Sequence, residues 1–392
     1  MTSGRTLDTN ASFLAGELRR LGGRVDEIRS LPDHLPVLIR TIRELARGRQ
    51  LLILTGGLGP TEDDRTRHAL ALAAGKPLRL HPPSLTAIEE RFRRSGRTMT
   101  ANNRTQAMFP ASSSPLPNAR GTAPGIRMRL GSCRLLAFPG VPHEMKAMWE
   151  SSSLPLSREL GRRALRLRRL HVFGLTESEV DRRMHPLMLP GRDPEVGLTV
   201  QDSVITVTLT SASRTRIARD ETLLRRLLGR ALFGTDGESL AVVVARLLGR
   251  RRQTLALAES ATGGLISHLL TEVPGASRIL LESRTVYTEG AKRRLGVPAA
   301  LLRKHGTVSE PVTRALASRI RQVSGSTWGL AATGVAGPSG GSQTLPVGTC
   351  FLALAGPEGV RVAQPIFTGD RSQVKRRAAL SALDLLRLSS GG

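Results

Sequence analysis

An α/β protein of three successive units is what the sequence predicts. Short apolar runs ending in glycine alternate with helical periodicity near both ends of the chain, the grammar of β-α-β units. A smaller stretch between residues 170 and 235 mixes strand and helix patterns as an α+β unit. The length of 392 residues suits two or three domains, and 40% hydrophobic with 23% charged residues is a globular balance able to bury a core.

Apolar residues at 11, 14, 15, 18 and 21 place a helix over residues 11–21, closed by Gly22-Gly23. Residues 25–28 read as a strand and 35–46 as a second helix. Residues 51–54 form an apolar run ahead of Gly56-Gly57, the pattern of a buried parallel strand, and Thr61 reads as the N-cap of the helix that follows. Residues 112–124, rich in Ser, Pro and Gly, read as loop, and 126–130 with 135–138 as a hairpin around Gly131. Residues 156–169 read as a basic helix or linker whose Arg158, Arg162, Arg163, Arg166, Arg168 and Arg169 suit a solvated face between domains better than an RNA- or membrane-binding helix. The middle unit reads as strand 171–173, helix 177–188, strand 204–209 and helix 216–228. A second α/β pattern then begins with helix 238–249, strand 254–258 and a Gly-rich turn into helix 263–271. The expected domains are 1–155, 168–236 and 238–392.

The net charge of +26 invites a nucleic-acid reading. Only five of the 58 basic residues are lysine, leaving 53 arginines. Either side chain neutralises phosphate, so phosphate binding alone would not expel lysine. Aromatic residues, at 3%, offer few platforms for stacking bases. Nucleic acid is therefore not expected as the main partner. No apolar run approaches the ~18 residues of a membrane span, and the longest, 240–248, is cut by Arg246. The N-terminus carries no apolar signal core, and Cys133 and Cys350 form neither a CxxC pair nor a disulfide framework. A soluble, cytoplasmic protein with no membrane partner is expected.

The first chemical motif is Leu54-Thr55-Gly56-Gly57-Leu58-Gly59-Pro60-Thr61-Glu62-Asp63-Asp64. Glycines let a ligand approach the backbone, and a helix N-terminus offers N–H groups to phosphate. The acids either complement the helix dipole or hold a divalent cation that bridges phosphates, with Asp63 and Asp64 as its ligands.

This string is joined, in order, by Asp8-Thr9-Asn10, Asn102-Asn103-Arg104, Gly121-Thr122-Ala123-Pro124-Gly125 and Phe138-Pro139-Gly140-Val141-Pro142-His143-Glu144-Met145. Together they resemble the N-terminal domain of the CinA (competence/damage-inducible) family, whose fold is like the molybdopterin-binding MoaB/MogA proteins. His171-Val172-Phe173-Gly174-Leu175-Thr176-Glu177-Ser178 resembles the opening of that family's KH-like middle domain. The resemblance implies a three-layer N-terminal domain that contacts a nucleotide through Asp8, Asn10, Gly56, Gly57, Gly59, Thr61 and Asn102. It also implies metal-dependent hydrolysis of ADP-ribose. The family's first strand and Gly-x-Glu-Leu-Leu turn have no counterpart ahead of Gly4. Either the start of the chain is truncated or this domain is degenerate, and a homodimer whose partner chain can support the domain is expected.

The second constellation is Ala258-Glu259-Ser260-Ala261-Thr262-Gly263-Gly264, Val273-Pro274-Gly275-Ala276-Ser277 and Val286-Tyr287-Thr288-Glu289-Gly290-Ala291-Lys292. Gly306-Thr307-Val308-Ser309, Thr333-Gly334-Val335-Ala336-Gly337-Pro338 and Thr368-Gly369-Asp370-Arg371 follow. This is similar, motif by motif, to the CinA C-terminal domain, also the stand-alone PncC amidase, which converts nicotinamide mononucleotide to nicotinate mononucleotide and ammonia. A serine nucleophile needs a base. With no histidine nearby the block offers Lys292, which serves if burial or a neighbouring cation lowers its pKa. An arginine there would stay protonated. Tyr287, the chain's one tyrosine, either relays the proton or orients the pair.

The resemblance implies Ser277 as the acyl-forming nucleophile, Tyr287 and Lys292 as its partners and Arg371 as a substrate contact. Backbone N–H groups of Gly263-Gly264 and of the loop 334–337 are expected to bind phosphate or the developing oxyanion. Ser260, Thr262, Thr333, Gly334 and Gly337 complete the expected substrate contacts. Ser260 and Thr262 equally suit helix capping, and Glu259 anchors either the loop or Lys292. Ala261 stands where the family usually has Cys, Ser283-Arg284 where glycine is common and Leu345 where Lys is usual. His143, His171, His268 and His305 lack metal-ligand spacing, and the amidase half implies no cofactor.

Pyridine-nucleotide salvage by amide hydrolysis is thus the expected function. The alternatives are ADP-ribose pyrophosphatase activity in the first domain and a non-enzymatic competence- or damage-associated role in binding nucleic acid.

Overall fold

A computed structural model describes residues 7–160 and 165–391. They form two compact units, Met1–Leu165 and Arg166–Gly392.

The first unit runs α1 (Thr9–Arg20), α2 (Leu35–Ala46), β1 (Leu51–Thr55), α3 (Thr66–Ala73), β2 (Leu78–Leu80), α4 (Pro82–Arg94), β3 (Met108–Pro110), β4 (Ser114–Leu116), β5 (Gly125–Leu130), β6 (Cys133–Phe138) and α5 (Pro142–Leu160). Its main sheet has the order β1-β6-β5-β4, with β1 and β6 parallel and the other pairs antiparallel. Alternation along the strands sends Leu52, Leu54, Leu135 and Ala137 to a core with α2 and α3. It sends Ile53, Leu136 and Phe138 to the opposite core, against Leu14 of α1 and Met145, Met148 and Trp149 of α5. The result is three layers, as expected.

Three local expectations change. Among the described residues, 25–28 join no sheet: Arg24 pairs with Asp26 and Glu27 with Arg29 and Arg49, leaving Val25 and Ile28 exposed. β1 is consequently an edge strand, half-buried rather than buried, and a cavity of about 730 Å³ lies along it. The stretch 112–124 contributes the short strand β4.

The second unit begins with β7 (Arg166–Val172), α6 (Glu177–Met184), β8 (Glu195–Gln201), β9 (Val204–Ser211), α7 (Arg214–Leu228) and β10 (Leu232–Thr235). These strands make an antiparallel sheet, β10-β7-β9-β8, with both helices packed on one core. Residues 166–169 are therefore strand rather than basic helix, and Arg168 is tied to Glu221 at 2.6 Å and to Asp236. Arg162 and Arg163 lie outside the described residues, and so does the side chain of Arg158.

The chain continues through α8 (Leu240–Arg250), β11 (Leu255–Glu259), α9 (Leu265–Thr271), β12 (Leu280–Thr285), α10 (Glu289–Arg294), α11 (Ala299–His305), α12 (Glu310–Ser324), β13 (Trp328–Gly334), β14 (Cys350–Gly356), β15 (Gly359–Ala363) and α13 (Arg371–Ser389). The sheet order is β12-β11-β13-β14-β15, parallel across the first three strands and antiparallel beyond. Helices α8, α9 and α13 cover one face and α12 the other. Phe173, just after β7, and Phe233 of β10 are buried in this larger core, and Arg376 of α13 meets Asp202 at 2.7 Å. Shared burial makes one unit of the two parts.

Gly329 shows how tightly α12 lies on β13. A Cβ there would sit 2.2 Å from the Ala317 carbonyl oxygen and 2.6 Å from Arg321 Cβ. Gly329→Ala is expected to cost about 2–3 kcal/mol of stability by overpacking, measured as a lowered urea midpoint with an unchanged slope.

Candidate active site

Parallel strands deliver their following loops to one edge of a sheet, where open α/β folds bind ligands. Here β11, β12 and β13 end at Glu259, Thr285 and Gly334, followed by Ser260, by Val286-Tyr287 and by the loop 335–338. The start of α13 lies at the same edge, because Arg371 reaches both of the latter loops.

Glu259 is fully buried and accepts three backbone N–H bonds. Its Oε2 takes Gly264 and Ile266, each at 3.0 Å, and its Oε1 takes Ser267 at 2.9 Å. Glu259 therefore anchors the loop and not Lys292. Gly263 donates to the Ser260 carbonyl at 3.1 Å, so the N–H groups of Gly263 and Gly264 are engaged within the protein. That corrects the expectation that they receive phosphate or oxyanion. The two glycines are needed for their backbone, with φ of 62° and 94°.

On this turn Ser260 is 6% exposed, and Lys292, 1% exposed, brings its Nζ within 3.0 Å of Ser260 Oγ. Lys292 Nζ also donates to the Val286 carbonyl at 2.9 Å. Burial lowers the Lys292 pKa from the usual lysine value, since taking an ammonium out of water favours the neutral amine. An amine whose neutral form is favoured in this way, in contact with a serine hydroxyl, is placed to act as a base toward it.

Beside it, Arg371 donates to the Gly337 carbonyl and to the exposed Tyr287 hydroxyl, both at 2.8 Å. The Thr262 hydroxyl is buried and without a partner among the described residues. Thr333 is fully buried with its hydroxyl on Thr313 at 2.7 Å, so it faces the core rather than a substrate. Gly334 lies against Cys350, where a Cβ would come within 2.7 Å of its Sγ. Gly337, at φ 78°, is buried against Val347.

Ser277 is placed elsewhere. It is exposed on a short turn ahead of β12, and two residues on the Ile279 carbonyl accepts from the Leu255 N–H at the start of β11. The six residues of β12, about 20 Å of strand, separate that end from Tyr287 and Lys292. Within one chain the hydroxyl at Lys292 is Ser260, which corrects the expected pairing of Lys292 with Ser277. The missed signal was topological: Ser260 follows a parallel strand, whereas Ser277 precedes one.

Family profiles described as "Probable molybdopterin binding domain", "Damage-inducible protein CinA KH domain" and "CinA C-terminal domain" match residues 1–159, 167–234 and 237–389. A CinA-like protein of Anaeromyxobacter sp. (strain Fw109-5) is 41% identical over 397 residues, covering 99% of this chain and 96% of its own. The chain belongs to the CinA family. A CinA-like protein of Geobacter metallireducens is 39% identical over 393 residues, covering 98% of this chain and 95% of its own. Among solved structures, the competence/damage inducible protein CihA from Agrobacterium tumefaciens is 31% identical, covering 39% of this chain and 94% of its own with a TM-score of 0.38.

In this CinA protein the first-domain motif residues mostly serve one another. Asp8 caps α1 by accepting the Ala11 N–H at 2.9 Å, and buried Asn10 donates to the Gly140 carbonyl at 2.8 Å. A Cβ at Gly57 would lie 2.3 Å from Thr66 Oγ1, and one at Gly59 2.4 Å from Asp64 Oδ2. Gly56 receives the Thr66 hydroxyl on its carbonyl at 2.8 Å. Thr61 is not a helix N-cap: α3 begins at Thr66, and Thr61 lies in the preceding turn. There its hydroxyl bonds both Asp63 and Asp64, and that bond holds the Asp63 carboxyl below its usual range. Asn102 reaches the Pro60 carbonyl at 3.4 Å.

The motif reading missed Arg67. It is buried and donates to the Leu58 and Gln106 carbonyls at 3.2 and 3.3 Å, and desolvation lowers its pKa to about 10. Among the described residues no three His, Cys, Asp or Glu side chains gather to hold a metal, and no helix is long and apolar enough to cross a membrane.

Proposed function

We propose that this CinA protein hydrolyses the carboxamide of nicotinamide mononucleotide at the Ser260–Lys292 site. The observation that carries this reading is the 3.0 Å contact between Ser260 Oγ and a buried Lys292 amine whose pKa is lowered. Neutral Lys292 removes the Ser260 proton as Oγ attacks the amide carbonyl. The resulting ammonium returns that proton to the amide nitrogen, ammonia leaves, and an acyl-Ser260 ester remains. Lys292 then takes a proton from water as it attacks the ester, and passes it to Ser260 as nicotinate mononucleotide departs. Tyr287 and Arg371 stand on the open side as substrate contacts, held together by their own hydrogen bond. Measuring ammonia release by the intact protein beside Ser260→Ala, Lys292→Met and Ser277→Ala tests this assignment.

A second reading, ADP-ribose hydrolysis in the first domain, draws on the cavity of about 730 Å³, which Asp8, Gly56 and Gly57 line but Gly59, Thr61, Asp63, Asp64 and Asn102 do not. That volume is in the range of small-molecule sites. Asp63 and Asp64 would hold a divalent ion, a carboxylate count that suits magnesium where phosphate and water supply the remaining ligands. The ion would neutralise phosphate charge. Thr61 orients both carboxylates. Asp64→Asn is expected to lower ADP-ribose hydrolysis at least roughly tenfold while sparing ammonia release. Hydrolysis indifferent to Asp64→Asn and to chelator would remove this reading.

The nucleic-acid alternative receives less support. In the middle part Arg168, Arg182, Arg183, Arg192, Arg216 and Arg225 each pair with an Asp or Glu nearby.

A further inference from the structure

We infer that Lys375 is the phosphate-recognition residue of the Ser260 site, an inference that rests on the reading of that site as one for a nucleoside monophosphate. Lys375 follows Arg371 by four residues on α13, so the two side chains emerge on the same helix face. Arg371 is fixed on Gly337 and Tyr287. Lys375 extends to the Ser260–Gly263 turn, where a Cβ built on Gly263 would lie 3.4 Å from Lys375 Nζ. The ammonium thus stands over Gly263, an exposed residue without a side chain on the turn that begins at Ser260.

Lys375 differs from the other cations of its helix. Arg376 pairs with Asp202, Arg377 donates to the Thr368 carbonyl, and Arg387 holds Asp384 and the Arg230 carbonyl. Half-buried Lys375 has no hydrogen bond or ion pair among the described residues. The Asp370 carboxylate at the head of the helix is engaged by the Gln373 N–H in a capping box. Withdrawing an ammonium partly from water without a partner is unfavourable, and an anionic ligand removes that cost.

A second unpartnered group lies next to Gly263 in the chain. Thr262 Oγ1 is fully buried and makes no hydrogen bond among the described residues, leaving a hydroxyl donor in the same turn. A compact ammonium with three donors suits a phosphate monoester as a point charge.

Calorimetric titration of the full-length protein and its Lys375→Met and Lys375→Arg variants tests the inference without relying on turnover. The probes are nicotinate mononucleotide, nicotinate riboside and inorganic phosphate. Lys375→Met is expected to weaken the mononucleotide and inorganic phosphate about 10- to 100-fold and to leave the riboside unchanged, with Lys375→Arg recovering part of the loss. Unchanged mononucleotide binding in Lys375→Met, or an equal loss for the riboside, overturns the inference. If the parent binds inorganic phosphate through Lys375 but not the mononucleotide, the phosphate site stands and the nucleotide assignment falls.

Discussion

Ammonia release from nicotinamide mononucleotide is expected to fall roughly 10³-fold or more in Ser260→Ala and roughly 10²- to 10⁴-fold in Lys292→Met, with Ser277→Ala close to the parent. Ser260 carries the hydroxyl that Lys292 touches, and Ser277 lies beyond the far end of β12. Lys292→Arg should be as inactive as Lys292→Met, because a guanidinium keeps its proton. The pH profile gives an independent reading. Lys292 has a folded pKa below 10.5, so kcat/KM should rise with pH as the amine loses its proton below the usual lysine range. The sign for stability is the same. Between the lowered folded value and the unfolded value the unfolded chain binds the extra proton, so raising pH favours the folded state across that window. Lys292→Met should abolish this dependence and melt no lower than the parent, since it removes a buried ammonium. Activity lost in Ser277→Ala and kept in Ser260→Ala would reverse the assignment.

Glu259→Ala is expected to destabilise the protein by about 3–6 kcal/mol, because it leaves three N–H groups in or beside the core without their acceptor. That is a large share of the roughly 5–15 kcal/mol that stabilises an ordinary domain. Glu259→Gln, which keeps one carbonyl oxygen, should recover part of it. Urea unfolding measures the loss, and ammonia release should fall with it, since the same carboxylate fixes the turn that carries Ser260. A Glu259→Ala protein as stable as the parent would mean that water or a backbone shift satisfies those donors.

The architecture was legible where one face of an element meets a core. Residues 14, 18 and 21 mark α1 because they pack on the sheet, and the run 51–54 marks β1. Local pattern failed where a partner decides the outcome. Residues 25–28 read as a strand yet join no sheet among the described residues, and Thr61 looks like an N-cap yet binds two carboxylates in a turn. Residues 166–169, dense in arginine, become strand because β9 pairs with them and Glu221 and Asp236 neutralise Arg168.

The amino-acid sequence by itself determined the α/β class, the CinA membership and the presence of a lysine suited to act as a base. Each of these depends on residue type and order along the chain. Only the tertiary structure decided which serine that lysine meets. Parallel strands carry every loop that follows them to one edge and every loop that precedes them to the other, so Ser260 arrives beside Lys292 across 32 residues while Ser277, nearer in sequence, does not. The anchoring role of Glu259 and the approach of Lys375 to Gly263 were decided in the same way, by burial and by the first turns of helix α13 lying at that edge of the sheet.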